Sequence, residues 1–296
     1  MREFLVDFLN EFEYEKEDRE CLISAFDKVM ENKEASWLFW ECISMYEQDI
    51  NVDYWKEIIE NRAQKLAPMV NIHTYTIELL VFICMAKHLK RLYIEKGIDL
   101  EIYKNSMYDL KYKLDECKLV KGVCGSFVSG WFPGFYNLTR FALGRLQFEL
   151  CTFNESYEKD GKSLKKDDTV INVHIPRSLK PLTKESCDEA YAMAVEFFKD
   201  KIKNPIAFVC YSWLLYSPTF NILPEGSNTK RFVAQFDILS DYHHPEGQHH
   251  DAWRLFDMDY TGNADDFPDN TSMRRAFKEY IKAGNRTGEG YGVFFA

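Results

Sequence analysis

The chain has 296 residues, a formal net charge of −10 and 46% hydrophobic residues, with 23 Phe and 17 Tyr. That length allows one large domain or two ordinary ones around an aromatic-rich core. An acidic balance with no long block of one sign argues against gripping nucleic-acid phosphates, because counterion release needs clustered Lys and Arg; a small anionic ligand needs only a local basic patch.

The first residues, "MREFLVDFLNEFEYEKEDRE", carry acids throughout and lack the basic start and cleavage site of a signal peptide. The apolar run "ELLVFICMA" at 78–86 is too short to cross a bilayer. Eight cysteines contain no CxxC pair, so a zinc ribbon or thioredoxin-type site is not expected, and most read as small hydrophobes in a reduced setting. The expectation is a soluble, cytoplasmic protein with no nucleic-acid or membrane partner.

Residues 1 to about 120 read as successive helices. "CLISAFDKVM" aligns Leu22, Phe26 and Val29, and "SWLFWECISMY" brings Trp37, Trp40, Ile43 and Met45 close together. "NVDYWKEIIENRAQKL" opens on Asn51 or Asp53 as a cap and presents Trp55, Ile58, Ile59 and Leu66. A long helix is expected over 71–95. Another follows over 99–118, with Ile102, Leu110, Leu114 and Cys117 in register. The texture changes at "KGVCGSFVSGWFPGFYN", 121–137, where glycines at 122, 125, 130 and 134 mark a linker or a substrate-shaping loop.

Beyond it the period shifts toward two. Strands are predicted at 141–153, 169–176, 205–215 and 251–258 and in the tail "GYGVFFA", with helices at 184–202, 228–236 and 271–284 between them. The fold class is therefore α+β: an all-α N-terminal domain over 1–135 followed by a mixed α/β sheet domain over 136–296.

The corner after "TVINVHIP" holds the first candidate site. A helix opening at Lys184 leaves its leading N–H groups to attract anions, and Arg177, Ser178 and Lys180 lie just ahead of it, with Thr183 able to cap. Plain capping by Thr183 and Ser186 beside solvated cations explains the same residues. In the preceding strand Asn172 and His174 share a face. In "GRLQFELCTF" Arg145, Gln147 and Glu149 do likewise, as a wet edge strand would. If the two strands are neighbours, Glu149 and His174 line one groove suited to acid–base chemistry. In "VCYSWLLYSP", Ser212 lacks the GxSxG elbow of a hydrolase nucleophile, and Cys210 reads as core. "DYHHPEGQHHD" gathers four of the seven histidines without a fixed metal-ligand spacing, so a solvated loop and no metal are expected.

"GRLQFE", "INVHIP", "PLTKESCDEAY", "CYSWLL", "SNTKRF" and "GEGYGVF" together resemble the acyltransferase-domain proteins of Firmicutes, in which a helical N-acyltransferase N-terminal domain precedes a GNAT-like C-terminal domain. The resemblance spans nearly the whole chain, with its motifs concentrated in 141–296. It implies acetyl-CoA or another acyl-CoA as co-substrate and a small-molecule amine or hydroxyl as acceptor. Ile175, Arg177, Ser178, Lys180 and Thr183 would then lie at the CoA pyrophosphate, and Asn228 beside the pantetheine arm. The strand at 205–215 would splay from its neighbour to admit that arm. Glu149 or His174 would take the acceptor's proton, and Ser212 or a tyrosine, Tyr211 or Tyr216, would protonate the leaving thiolate. Two departures stand out. "IPRSLKPLT" has no glycine where GNAT pyrophosphate loops carry two, and "NTKRFVAQF" offers Phe232 and Phe236 where many carry a tyrosine. They favour the alternative of a catalytically silent GNAT-like ligand-binding protein. A hydrolase reading lacks any nucleophile-plus-base spacing.

Overall fold

The computed structural model describes residues 1–50, 55–178 and 180–296, so the cap expected at Asn51 or Asp53 lies outside the described residues. Two compact units emerge, Met1–Phe141 and Ala142–Ala296.

The first unit contains α1 (Arg2–Glu11), α2 (Lys16–Glu31), α3 (Lys33–Gln48), α4 (Trp55–Val70), α5 (Thr74–Glu95), α6 (Leu100–Lys121) and the single turn α7 (Pro133–Tyr136). Local chemistry sets the ends. Asn32 caps α3 by accepting from the amides of Glu34 and Ala35, both at 3.1 Å, and Asp99 caps α6 by accepting from Glu101 at 2.9 Å. Gly122, at φ 67°, closes α6 in the left-handed conformation. In α5 every residue from Thr76 to Ala86 is buried, so "ELLVFICMA" is a core helix wrapped by its neighbours. No single helix among the described residues is long and apolar enough to cross a membrane; α4 and α5 pass that test together only as a pair bent by 118°.

The segment at 121–137 is not a free linker. Tyr136 donates to the Phe82 carbonyl at 2.5 Å, Tyr46 donates to the Tyr136 carbonyl at 3.0 Å, and Trp55 Nε1 donates to Asn137 at 3.1 Å. A Cβ at Gly125 would fall on the Tyr75 backbone, which is why a glycine stands there. In α3 the buried seam is Leu38, Phe39, Cys42, Ile43 and Tyr46, which leaves Trp37 62% exposed rather than grouped with Trp40 and Ile43.

The second unit is built on β1 (Arg140–Leu143), β2 (Leu146–Thr152), the hairpin β3 (Tyr157–Lys159) and β4 (Lys162–Leu164), β5 (Thr169–His174), α8 (Lys184–Phe198), β6 (Ala207–Ser212), α9 (Asn228–Val233), β7 (Asp237–His243), α10 (Ala252–Phe256), α11 (Ser272–Lys282) and β8 (Gly288–Phe295). The main sheet runs β1-β2-β5-β6-β8-β7. β5 and β6 pair in parallel; β2/β5, β6/β8 and β7/β8 pair antiparallel. One sheet face packs Phe148, Phe208 and Phe294 around Tyr191 of α8, with ring centroids 4.7 Å (Tyr191–Phe208) and 5.2 Å (Tyr191–Phe294) apart. On the other face Phe153, Leu164, Val170, Ala207, Val209 and Val293 form a second core.

Several expectations about this unit change. The strand expected over 141–153 breaks at Gly144 (φ 64°), so Arg145 sits in the turn between β1 and β2 rather than in the strand of Gln147 and Glu149. Residues 251–258 contain a short helix, α10, rather than a strand. Trp253 and Phe256 lie three residues apart, and both are buried on its one inward stripe. β7 and the β3/β4 hairpin were not anticipated. β7 is an edge strand, mostly half-buried or exposed and with a register shift between Ile238 and Ser240, so its alternation is weak. The alternate glycines of "GEGYG" have a steric cause: a Cβ at Gly290 would meet the Leu215 carbonyl, which the turn after β6 lays across β8.

Candidate active site

Register assembles the site. Gln147 pairs with His174 and Glu149 with Asn172, so Glu149 and His174 are diagonal neighbours on one face, within reach of long side chains. Asn172 in turn pairs with Val209, and Tyr211 with Tyr291, which carries the same face across β6 to β8 and includes Glu289 two residues earlier. A polar band of Glu149, Asn172, His174, Tyr211 and Glu289 thus crosses this side of the sheet.

Its tightest contact is His174 Nε2 donating to Glu149 Oε1 at 2.7 Å, with both side chains about four-fifths buried at 19% and 20% exposure. Asn172 Nδ2 donates to the same oxygen at 3.4 Å; its 3.3 Å separation from His174 Nε2 follows from two donors sharing one acceptor. An ionised carboxylate only accepts, so it fixes the proton on Nε2 and leaves Nδ1 as the basic nitrogen.

The dyad stands where two strands part. The parallel ladder joins Ile171 to Phe208 and Asn172 to Val209. β5 then continues to His174 without pairing to β6, while β6, bonded to β8 along its other edge throughout, continues to Ser212. A cleft between parallel strands at their carboxyl ends is the usual ligand position of an open α/β sheet.

Residues of the following corner are distributed as follows. Ile175 is half-buried immediately after β5. Arg145 donates to the carbonyls of Pro176 at 3.1 Å and Lys180 at 2.9 Å and so braces the glycine-free loop from outside its strand. Arg177 pairs with Asp257 at 2.5 Å, and Arg274 holds that carboxylate's other oxygen at 2.5 Å. Burial pushes the Asp257 carboxyl up, but the two guanidinium groups outweigh it and hold the carboxyl below its ordinary range. Arg177 is therefore an engaged cation. The Ser178 hydroxyl is buried, with no hydrogen-bond partner among the described residues. The Lys180 side chain is exposed. Thr183 Oγ1 accepts from the Ser186 amide at 3.2 Å, so this threonine is a helix cap, and the amides of Lys184 and Glu185 head α8. Asn228 opens α9, its Oδ1 accepting from Arg231 at 3.0 Å, while Ser227 is the cap.

The remaining candidates divide between the two faces. Ser212 points away from His174, and its Oγ accepts from the Leu214 amide at 3.2 Å to cap a short turn. Tyr211 shares the face of His174; burial and its hydrogen bond to Glu289 push its phenol above the ordinary range. The Tyr216 hydroxyl lies 2.7 Å from His243 Nδ1. Burial pushes the Cys210 thiol up to about 12, an inert core thiol as expected. Sequence reasoning passed over Glu289, Asp257 and the bracing role of Arg145. Only the alternation of Glu289 with Tyr291 and Val293 hinted at the first.

Residues 140–294 match the model of the GNAT-like C-terminal domain, and residues 3–138 match that of the N-acyltransferase N-terminal domain. The chain belongs to this two-domain N-acyltransferase family. No curated protein sequence matches it. Among solved structures, an acyltransferase in complex with decanoyl-CoA and teicoplanin aligns with TM-score 0.75 at 21% identity, covering 98% of this chain and 86% of that one. A mutant acyltransferase with octanoyl-CoA aligns at TM-score 0.74 and 20% identity over the same shares. These likenesses establish the GNAT-like fold after an N-terminal helical region. In the GNAT-like domain the parting strands are β5 and β6.

Proposed function

We propose that this N-acyltransferase-family protein transfers an acyl group from an acyl-CoA to an amine or hydroxyl of a small molecule. The observation that carries this reading is the Glu149–His174 dyad beside the parting of β5 and β6. The complexes of the similar acyltransferases, with decanoyl-CoA, octanoyl-CoA and teicoplanin, support an acyl-CoA donor.

His174 Nδ1 takes the proton from the acceptor as its nitrogen or oxygen attacks the thioester carbonyl, and Glu149 holds the ring and stabilises the imidazolium. The carbon–sulfur bond then breaks and the thiolate leaves. Relative acidity decides which group protonates it. An imidazolium, at about 6.5, is a stronger acid than a thiol, at about 8.5, whereas a phenol raised above about 10 is weaker. The proton accordingly returns from His174 to sulfur, and neither Tyr211 nor Ser212 is required. The amides heading α8, with Lys180 and Lys184 nearby, suit the CoA phosphates. Arg177 then acts by anchoring the loop to Asp257.

The test is thermal stabilisation by CoA, acetyl-CoA and decanoyl-CoA, followed by thiol release in wild type and His174→Ala. Stabilisation in both proteins, with turnover confined to wild type, is expected. An acyl-CoA that neither stabilises nor is consumed would overturn the reading.

A further inference from the structure

The histidine-rich segment is not the solvated loop its composition suggests: His244 is 3% and His249 8% exposed. Their Nδ1 atoms converge on Thr287 Oγ1, at 3.2 and 3.0 Å, and that hydroxyl donates to the Gln248 carbonyl at 3.4 Å. A threonine hydroxyl has one proton and two lone pairs. When that proton goes to Gln248, both imidazoles supply Nδ1–H to the hydroxyl, which puts the lone pair of His244 on Nε2.

That nitrogen faces acceptors. Asp251 Oδ2 lies 3.7 Å away, beyond hydrogen-bonding reach, and ligand atoms of His244, Asp251 and Glu289 all lie within 4.8 Å of one another. Among the described residues His244 Nε2 makes no hydrogen bond, although the side chain is almost wholly buried. Both carboxylates have a further partner. Asp251 Oδ1 accepts from Arg254 Nε at 2.6 Å, and Glu289 accepts from the Tyr211 hydroxyl. Three lone-pair atoms turned toward one another repel, and a cation between them relieves that repulsion.

We propose that His244, Asp251 and Glu289 form a binding site for a divalent transition-metal cation of the zinc class. One imidazole nitrogen with two carboxylate oxygens is a donor set for zinc, whereas calcium and magnesium take oxygen alone. Bonds of about 2.0–2.2 Å need the three atoms to draw together by roughly an ångström. The Nδ1–H bond to Thr287 is the outer contact that metal-bound histidines make, fixing ring and tautomer. The site lies on β8 and the segment after β7, and the inference does not depend on the acyl-transfer reading.

The tag-free full chain, stripped with chelator and desalted, is titrated with Zn²⁺ by calorimetry and with Co²⁺ by visible absorption. One Zn²⁺ per chain, a melting temperature that rises with metal concentration, and Co²⁺ d–d bands are expected. His244→Gln and Glu289→Gln should each weaken binding at least tenfold and abolish the bands while their circular dichroism matches the parent; Asp251→Asn replaces any variant that fails to fold. Absence of saturable binding overturns the proposal. So does binding unchanged in these variants, which would assign the metal to exposed histidines.

Discussion

Two polar clusters, each joining a histidine to a carboxylate, pose opposite problems. At Glu149, Asn172 and His174, the ring nitrogen beside the carboxylate carries a hydrogen and the contact closes to 2.7 Å. At His244, Asp251 and Glu289, Nδ1 of the ring meets Thr287, and Nε2 stands 3.7 Å from the Asp251 carboxylate. The position of one proton, fixed by a neighbour, separates a group that relays protons from one that awaits a cation. Asp257 supplies the third case, a carboxylate whose partners Arg177 and Arg274 bring permanent charge and leave no proton to move.

The sharpest way to break this contrast is His174→Ala, which should lower kcat for thiol release by about 10²–10⁴-fold with the fold intact. A loss under tenfold would remove His174 as the base. Tyr211→Phe removes the hydroxyl that holds Glu289, and calorimetry should then show Zn²⁺ affinity reduced by about 10–100-fold. Thiol release should fall less than tenfold, because the returning proton travels through His174. Asp257→Asn should cost about 1.5–3 kcal/mol in urea unfolding, since the hydrogen bond from Arg274 and the ion pair with Arg177 both lose the carboxylate charge. The sign of its pH dependence follows from the depressed carboxyl. The contribution is complete above the ordinary carboxyl value of 3.8 and is lost as pH falls through the lower folded value, so the cost of the substitution should vanish in acid. Smallest is Ser212→Ala, which removes a turn cap worth about 1 kcal/mol. Its turnover should stay within about threefold of wild type, and a large loss would return Ser212 to the chemistry.

The helical first unit was legible because long amphipathic repeats carry their own periodicity, as in α2 and α6. Shorter pieces were not. Five residues of α10 contain too little of either period to separate helix from strand, and β7 alternates weakly because one of its edges is unpaired. In the site, the pairing of Glu149 with His174 was reachable from alternation once the two strands were taken as neighbours. The burial of His244 and the partner of Arg177 were not, because each depends on segments far apart in the chain.

By itself the sequence determined which of the long segments bury an apolar stripe, where α8 and α11 are capped, and that Asn172 and His174 face one way. Those properties follow from local steric periods of 3.6 and 2 and from neighbouring hydrogen-bond donors. Tertiary structure alone decided that the ladder between β5 and β6 ends at Asn172 and Val209 while β6 stays paired with β8, that Ser212 caps a turn, and that His244 Nδ1 meets Thr287. Each is a contact between distant residues whose energy exists only once the sheet has closed its register.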